Sequence, residues 1–415
     1  MCNNILMKNF SDLKIAIIHD QLTQYGGAER TLEQLLDIFP TADIFTGYYK
    51  PHNISQKILE QKIFSGLGKK PVWVQKLFNY ASFLMPLVFE SFDLREYNIV
   101  ISEGTAWPKG VITNPRQLHV TYIYTPPRFL YGYATEGQKR DAWYYKPFLK
   151  VVDHFLRLWD FSAAQRPDFI LSISQEVARR VKKFYRRDSV VIYPPVDVNG
   201  GLRGILVAGP RPAARDFLES PRNPPNDKGG YYLCISRLAA YKNIDLLVRT
   251  FNKTPPMAGQ AHLKLKLAGT GKEEAELRTL AGEKGGTVEM LGFVSDDEKA
   301  DLLANCKGFV FPTDYEDFGI VVAEALSYGK PVLCHRSGGP LEIVDDGVTG
   351  MFFDDLDAEA LSHKITEFDK NIDAGRYNGL KAQESTKKFS AERFKKEFGD
   401  FVTRKWEEKQ NARTS

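Results

Sequence analysis

At 415 residues the chain is too long for one ordinary core, and two to three domains are expected. With 43% hydrophobic and 26% charged residues it has the composition of a soluble globular protein, which excludes a fibrous or disordered chain. The net charge of +4 gives no reason to expect a nucleic-acid partner, but it is unevenly distributed. Through Asp197 there are 25 Lys+Arg against 19 Asp+Glu, and beyond it 31 against 33. A basic first half suits an anionic partner such as a lipid surface or a phosphate-bearing substrate. The four cysteines, Cys2, Cys234, Cys306 and Cys334, show no C-x-x-C spacing and read as buried free thiols of a reducing compartment. The N-terminal MCNNILMKNFSDLK lacks the apolar centre of a signal peptide, and the apolar region Val72 to Phe89 is broken by Lys76, Asn79 and Pro86. The expectation is a cytoplasmic protein whose membrane contact, if any, is peripheral.

Short β-rich runs alternate with amphipathic runs along the chain. KIAIIHD (14–20) reads as a buried strand, followed by a Gly-Gly turn and the helix AERTLEQLLDIF. ADIFTGYY, NIVISEG, HVTYIYT, DFILSIS and VVIYPPVD continue the series. YYLCISRL, LKLKLAGTG, VEMLGFV, GFVFPTD and KPVLCHRSG form a second one. Strand–helix alternation implies parallel sheets covered on both faces, so the fold class is α/β with two doubly wound, Rossmann-like domains. The boundary lies between Gly200 and Gly230, where six glycines and five prolines fall in 31 residues without apolar periodicity. The expected organisation is a first domain over 1–199, a linker or loop over 200–230, a second domain over 231–390 and a terminal helix over 391–415. In that helix Phe394, Phe398, Phe401, Val402 and Trp406 recur at helical spacing, so one stripe is buried, packing back toward the first domain.

In doubly wound domains, ligands bind at the carboxyl ends of the strands, and each candidate motif falls at such an end. In HDQLTQYGGAER, Gly26-Gly27 opens a helix whose backbone N–H groups can approach an anion; a plain tight turn explains the same residues. In ISRLAAYKNID, the spacing of Arg237 and Lys242 can bring both cations onto one diphosphate. LAGTGKEEAEL offers Gly269 and Gly271 after a strand, but the third glycine of a dinucleotide fingerprint is missing. In TDYEDFGIVVAEALSYG, a helix beginning at Phe318 puts Glu316 at its mouth and Glu324 near its second turn. Glu324 stands among Val321, Val322, Ala323, Ala325 and Leu326, and a carboxylate buried there needs a partner. Carboxylates accept hydrogen bonds from hydroxyl pairs, which a sugar and a ribose present.

Together, Glu316…Glu324, SRLAAYKN and SGGPLEIVDDGVTGMFF resemble, in order and spacing, the retaining GT-B glycosyltransferases of family 4. HDQLTQYGGAER, FDLREYNIVIS and VIYPPVD resemble their bacterial O-antigen and exopolysaccharide mannosyltransferase-like members. The resemblance implies two such domains facing across a cleft. It also implies that Glu316 accepts from donor-sugar hydroxyls, Glu324 from the ribose, and that Arg237 and Lys242 hold the diphosphate. Gly26 and Gly27 would close on it, the base would rest near Gly292, Phe293 and Val294, and Phe318, Gly319 and Ile320 would line the donor site. Family members often carry a histidine in the segment that here reads YIYTPPRF, where this chain has Tyr124. Tyrosine can donate a hydrogen bond to a sugar hydroxyl but carries no positive charge, and His119 is a poorer match. Asp20, Lys109 and Arg128 are the candidates for the acceptor side.

The resemblance implies a hexosyltransferase moving a sugar, with GDP-mannose favoured, onto a glycan or lipid-linked acceptor in cell-surface polysaccharide synthesis. Neither cofactor nor metal is expected: Arg237, Lys242 and helix N-termini supply the positive charge, and the D-x-D at Asp355–Asp357 reads as a surface turn. The rivals are a UDP-sugar-dependent relative, a sugar-nucleotide 2-epimerase, an NAD-dependent dehydrogenase and a non-catalytic scaffold of the same fold. EVARRVKKFYRRD carries Arg179, Arg180, Lys182, Lys183, Arg186 and Arg187, with Val177, Val181 and Phe184 as an apolar stripe. This helix, with KKPVWVQKLFNYASFLMPLVF, is the candidate contact to an anionic membrane surface.

Overall fold

In the computed structural model the chain divides into two units, one of residues 1–195 with 391–415 and one of residues 196–390. The residues described are 10, 12–68, 82–134, 146–198, 230–253, 262–282 and 287–414. Cys2, the expected linker up to Gly229 and residues 69–81 of the apolar segment lie outside them.

The first unit is built on seven parallel strands: β1 (Ile15–His19), β2 (Asp43–Thr46), β3 (Ile63–Ser65), β4 (Ile99–Gly104), β5 (Leu118–Ile123), β6 (Phe169–Ser172) and β7 (Val190–Val191). Their order in the sheet is β3-β2-β1-β4-β5-β6-β7. Every residue of β1 is buried, because neighbouring strands flank it and elements cover both faces. β3 is not among the strands expected from the sequence, since three residues are too few to show alternation. The terminal helix Ala391–Thr414 belongs to this unit and packs on the helix Gly27–Ile38 and on β5. Phe394 and Phe398 lie against Tyr122, and Phe401 against Phe169. Each of these buried rings contributes about 2–3 kcal/mol through removal from water.

The second unit has six parallel strands: β8 (Tyr231–Ile235), β9 (Lys264–Ala268), β10 (Val288–Gly292), β11 (Gly308–Phe311), β12 (Val332–His335) and β13 (Gly350–Phe353). Their order is β10-β9-β8-β11-β12-β13. Both sheets are therefore doubly wound, as expected. Successive connections reverse direction between β1 and β4 in one sheet and between β8 and β11 in the other. A crevice opens at the carboxyl ends of the strands where the order reverses. Asp20 and Thr105 follow β1 and β4, whereas Arg237 and Glu316 lie on the loops after β8 and β11. Topology alone thus gathers the candidate residues at one place in each unit.

Candidate functional site

In the second unit the loop after β8 is fixed from three sides. Ser236 N–H donates to the Ala268 carbonyl at 3.0 Å and Leu238 N–H to that of Thr270 at 3.0 Å. A Cβ on Gly269 would stand 1.8 Å from the Ser236 carbonyl oxygen, and one on Gly271 2.1 Å from that of Leu238. These glycines exist to let two backbones touch, which accounts for the half fingerprint without a dinucleotide. Asn243, in the left-handed region at φ +53°, ties the end of the loop to the Pro312 carbonyl at 3.1 Å, next to the chain leading to Glu316.

On this scaffold Lys242 is buried at 8% exposure, and its ammonium meets Glu316 Oε2 at 2.5 Å. The same ammonium sits 4.9 Å from the ring centroid of Tyr241, whose hydroxyl accepts from Arg237 Nη2 at 3.1 Å. Arg237 itself is exposed. The structure therefore joins Arg237, Tyr241, Lys242 and Glu316 into one chain of contacts, with an exposed cation at one end.

The helix bearing Glu324 starts later than expected. It runs Ile320–Ser327 with Gly319 as N-cap at φ +99°, a conformation that excludes Phe318 from the helix. Phe318 is buried and meets Phe389 edge-on at 5.2 Å. The Glu316–Phe318 backbone is pressed against Gly338 and Gly339, where any Cβ would fall within 2.3 Å of it, and Gly339 N–H donates to the Glu316 carbonyl at 2.8 Å. Below, Ser337 Oγ takes the Tyr315 N–H at 3.0 Å and lies 2.9 Å from His335 Nδ1. Glu324 is buried at 6% exposure, and its partner is Lys299, 2.7 Å away. Sequence reasoning asked for a partner but did not find Lys299, which sits on another helix, Asp296–Asn305.

Gly292 ends β10 at φ +73°, and Phe293 beyond it is 81% exposed. Phe293 and Val294 line an open cleft of about 520 Å³ with Tyr231, Lys266 and Leu291; none of Arg237, Lys242, Glu316 or Glu324 lines it. The D-x-D has another occupation: Asp357 caps the helix Ala358–Asp373, accepting from Glu359 and Ala360 N–H at 2.9 and 3.1 Å. Among the described residues no group of three or more His, Cys, Asp or Glu could hold a metal.

In the first unit, four polar side chains meet behind the Gly26-Gly27 turn. His19 Nδ1 lies 3.0 Å from Glu103 Oε1, and its Nε2 lies 3.8 Å from Glu29 Oε1. All three are essentially buried. Burial works against a charged imidazole, but the hydrogen bonds and charges of Glu103 and Glu29 outweigh it and push His19 up to about 10. Glu29 also accepts the Gly26 N–H at 2.8 Å, so that donor is held by the protein rather than offered to an anion.

Tyr124 donates its hydroxyl proton to Glu103 Oε2 at 2.5 Å. Burial, with the Glu103 charge, holds this phenol well above the usual tyrosine range. In this arrangement the Tyr124 proton goes to Glu103 and its oxygen is left as an acceptor. His119 is fully buried, with Nε2 2.9 Å from Ser102 Oγ, and burial pushes it down to about 3; it is a neutral core residue.

Two of the three acceptor-side candidates are engaged by contacts within the unit. Asp20 accepts from the Thr105, Ala106 and Trp107 N–H groups at 2.7, 3.3 and 3.1 Å, anchoring the loop after β4. Lys109 points inward, where it pairs with Asp160 at 2.6 Å with both side chains buried. Arg128 is half-buried, with its guanidinium 5.8 Å from the Tyr133 ring centroid. The cysteines Cys234, Cys306 and Cys334 are buried free thiols whose pKa values burial raises, which leaves them unreactive.

Residues 217–381, most of the second unit, match the family of glycosyl transferases group 1. That stretch is similar to a glycosyltransferase group 1 domain. Among curated proteins it is 34% identical over 141 residues to O-antigen chain mannosyltransferase B of Escherichia coli, covering 33% of this chain and 36% of that one. It is 26% identical over 232 residues to an uncharacterized glycosyltransferase of Methanocaldococcus jannaschii, covering 56% and 58%. The chain thus spans less than two thirds of the length of these relatives. Among solved structures, sucrose-phosphate synthase from Thermosynechococcus elongatus superposes with a TM-score of 0.66 at 17% identity, over 94% of this chain and 98% of that one. At such identity the likeness is one of fold, which is GT-B: two Rossmann-like domains of parallel sheet.

Proposed function

We propose that the protein is a retaining hexosyltransferase that moves mannose from GDP-mannose onto a glycan or lipid-linked acceptor in cell-surface polysaccharide synthesis. The observation that carries this reading is the loop after β8, where exposed Arg237 and buried Lys242 stand together and Lys242 meets Glu316 at 2.5 Å. Two cations beside a carboxylate at the mouth of a helix suit a diphosphate flanked by a sugar. When the donor enters, its diphosphate becomes a second partner for the Lys242 ammonium, and Glu316 is freed to accept from sugar hydroxyls. Glu324 plays the same part for the ribose once Lys299 shares it.

Transfer is a front-face displacement. The bond from the anomeric carbon to the diphosphate oxygen breaks, the acceptor oxygen bonds to that carbon from the same side, and the acceptor proton passes to the departing diphosphate. Arg237 and Lys242 stabilise the charge gathering there, so the reaction proceeds without a metal. The choice of mannose is supported by the partial likeness to the O-antigen chain mannosyltransferase, and GDP as its carrier is part of the proposal.

Incubation with GDP- and UDP-sugars, followed by assay of the released nucleotide, tests the reading. Release from GDP-mannose in the presence of a glycan acceptor is the expected result. Release only from UDP-sugars transfers the proposal to a UDP-dependent enzyme. Release from none, with no nucleotide bound in calorimetry, would leave a non-catalytic scaffold of the same fold.

A further inference from the structure

Glu316 stands on the coil between β11 and the helix Ile320–Ser327, outside any strand or helix. The residue before it, Tyr315, lies in the left-handed region at φ +49°, which a bulky side chain enters only at a cost in energy. Among the described residues two others besides glycine do so, Arg186 and Asn243, and each closes a helical turn, where that conformation is common. Tyr315 closes no helix. Its conformation calls for contacts that hold it, and such strain collects where a loop has to present a particular group.

Those contacts form one chain that starts inside the unit. His335, the last residue of β12, is 9% exposed, and its ring lies 5.4 Å from that of Phe353 on the neighbouring β13. Its Nε2 is 3.1 Å from the carbonyl oxygen of Asp354, just past β13. That oxygen can only accept, so Nε2 carries a hydrogen. Nδ1 is 2.9 Å from Ser337 Oγ, accepting the hydroxyl proton when the ring is neutral and donating to the oxygen when it is charged. Ser337 Oγ accepts the Tyr315 N–H at 3.0 Å in either case. Asp314 Oδ1, 2.8 Å from the same N–H nitrogen and 3.3 Å from Nδ1, closes the arrangement on the other side. His335 thus reaches the backbone beside Glu316 through one hydroxyl, with both ring nitrogens in use.

We propose that His335 is a positioning residue for the carboxylate of Glu316: through Ser337 it holds Tyr315 in its left-handed conformation and so sets where Glu316 stands beside Lys242. The Gly339 N–H fixes the carbonyl of Glu316, whereas Ser337 and Asp314 act on its amino side, at the residue whose φ is strained. A carboxylate that must accept from sugar hydroxyls needs this second anchor, because a small swing at residue 315 carries the Glu316 side chain with it. The inference rests on the proposed function for what Glu316 binds, a hexose on a nucleoside diphosphate; the holding itself is a property of the second unit alone.

Tyr315→Asn supplies the decisive background, because asparagine enters the left-handed region with little strain. His335→Ala alone should lower kcat/KM for nucleotide release from GDP-mannose, or from whichever sugar nucleotide the wild type turns over, about ten-fold. The Kd for the bare nucleoside diphosphate should stay within about two-fold of wild type, since Glu316 faces the sugar. In the Tyr315→Asn background the same change should cost much less, so that the two substitutions are not additive. His335→Asn, whose amide can meet Ser337 from the place of Nδ1, should restore most of the loss. Ser337→Ala cuts the chain by removing one oxygen and replaces His335→Ala if that variant does not fold. Amide hydrogen exchange, read on peptides spanning 313–319, checks the holding without turnover. It should quicken there in His335→Ala and Ser337→Ala and stay unchanged in β8 and β11. Quickened exchange alongside a wild type that releases no nucleotide supports the holding role and strikes only the proposed transfer. Additive effects, equal losses in nucleotide affinity and kcat/KM, or wild-type exchange and turnover in Ser337→Ala each overturn the inference.

Discussion

Replacing Lys242 by methionine removes the ammonium but keeps most of the buried stem, so the change isolates a charge. At the 2.5 Å separation from Glu316 the Coulomb attraction is gross about 7 kcal/mol at an effective dielectric near 20. Desolvation of two groups that are only 10% and 15% exposed takes back much of that. Taking the ammonium away from Glu316 should cost about 3 kcal/mol of stability. Activity should fall separately, by about 3 kcal/mol of transition-state stabilisation, or roughly a hundred-fold in kcat, as for the loss of a single oxyanion donor. The double variant Lys242→Met/Glu316→Gln tells the two effects apart. With the carboxylate's charge removed as well, it should regain most of the lost stability in a urea melt, yet remain as inactive in the nucleotide-release assay. Wild-type turnover by folded Lys242→Met would refute the diphosphate assignment. A double variant no more stable than Lys242→Met would refute the electrostatic account of the pair.

Full turnover is expected in excess chelator; activity lost there and restored by magnesium or manganese would contradict a cation-only site. His19, held up to about 10 between Glu103 and Glu29, should add stability that is complete below its unfolded value near 6.5 and disappears as pH rises to about 10. Thermal midpoints across that window should fall more steeply for the wild type than for His19→Gln; parallel curves would mean an uncharged imidazole. Gly269→Ala, with φ +134° and a backbone oxygen 1.8 Å from the new methyl, should destabilise by about 3 kcal/mol or more, whereas Gly282→Ala, with nothing within 4 Å, should stay within about 0.5 kcal/mol in the same denaturant titration.

Much of the architecture is written in local pattern. A strand such as Ile15–His19 is apolar throughout because parallel strands are covered on both faces, and the residues that follow it are turn formers. Alternation of such strands with amphipathic helices suffices to predict two doubly wound sheets, and the reversal of strand order then places Arg237, Lys242 and Glu316 near one crevice. The apolar surroundings of Glu324 likewise announce that it must find a partner. Only tertiary structure decides which one: Lys299 lies 25 positions away on a separate helix, and nothing in the sequence between them encodes that approach. The same holds for direction. Arg180 and Arg187 cannot be told by sequence from Arg179 and Arg186, yet the first pair turns inward because Thr125 and the Ala164, Pro167 and Asp168 carbonyls wait there. Tyr124 carries a hydroxyl in any fold, but whether it gives or accepts a proton depends on Glu103 across the sheet. Periodicity acts between neighbours in the chain and so is legible there; partner choice among buried polar groups acts across the fold and is settled only when the strands and helices have packed.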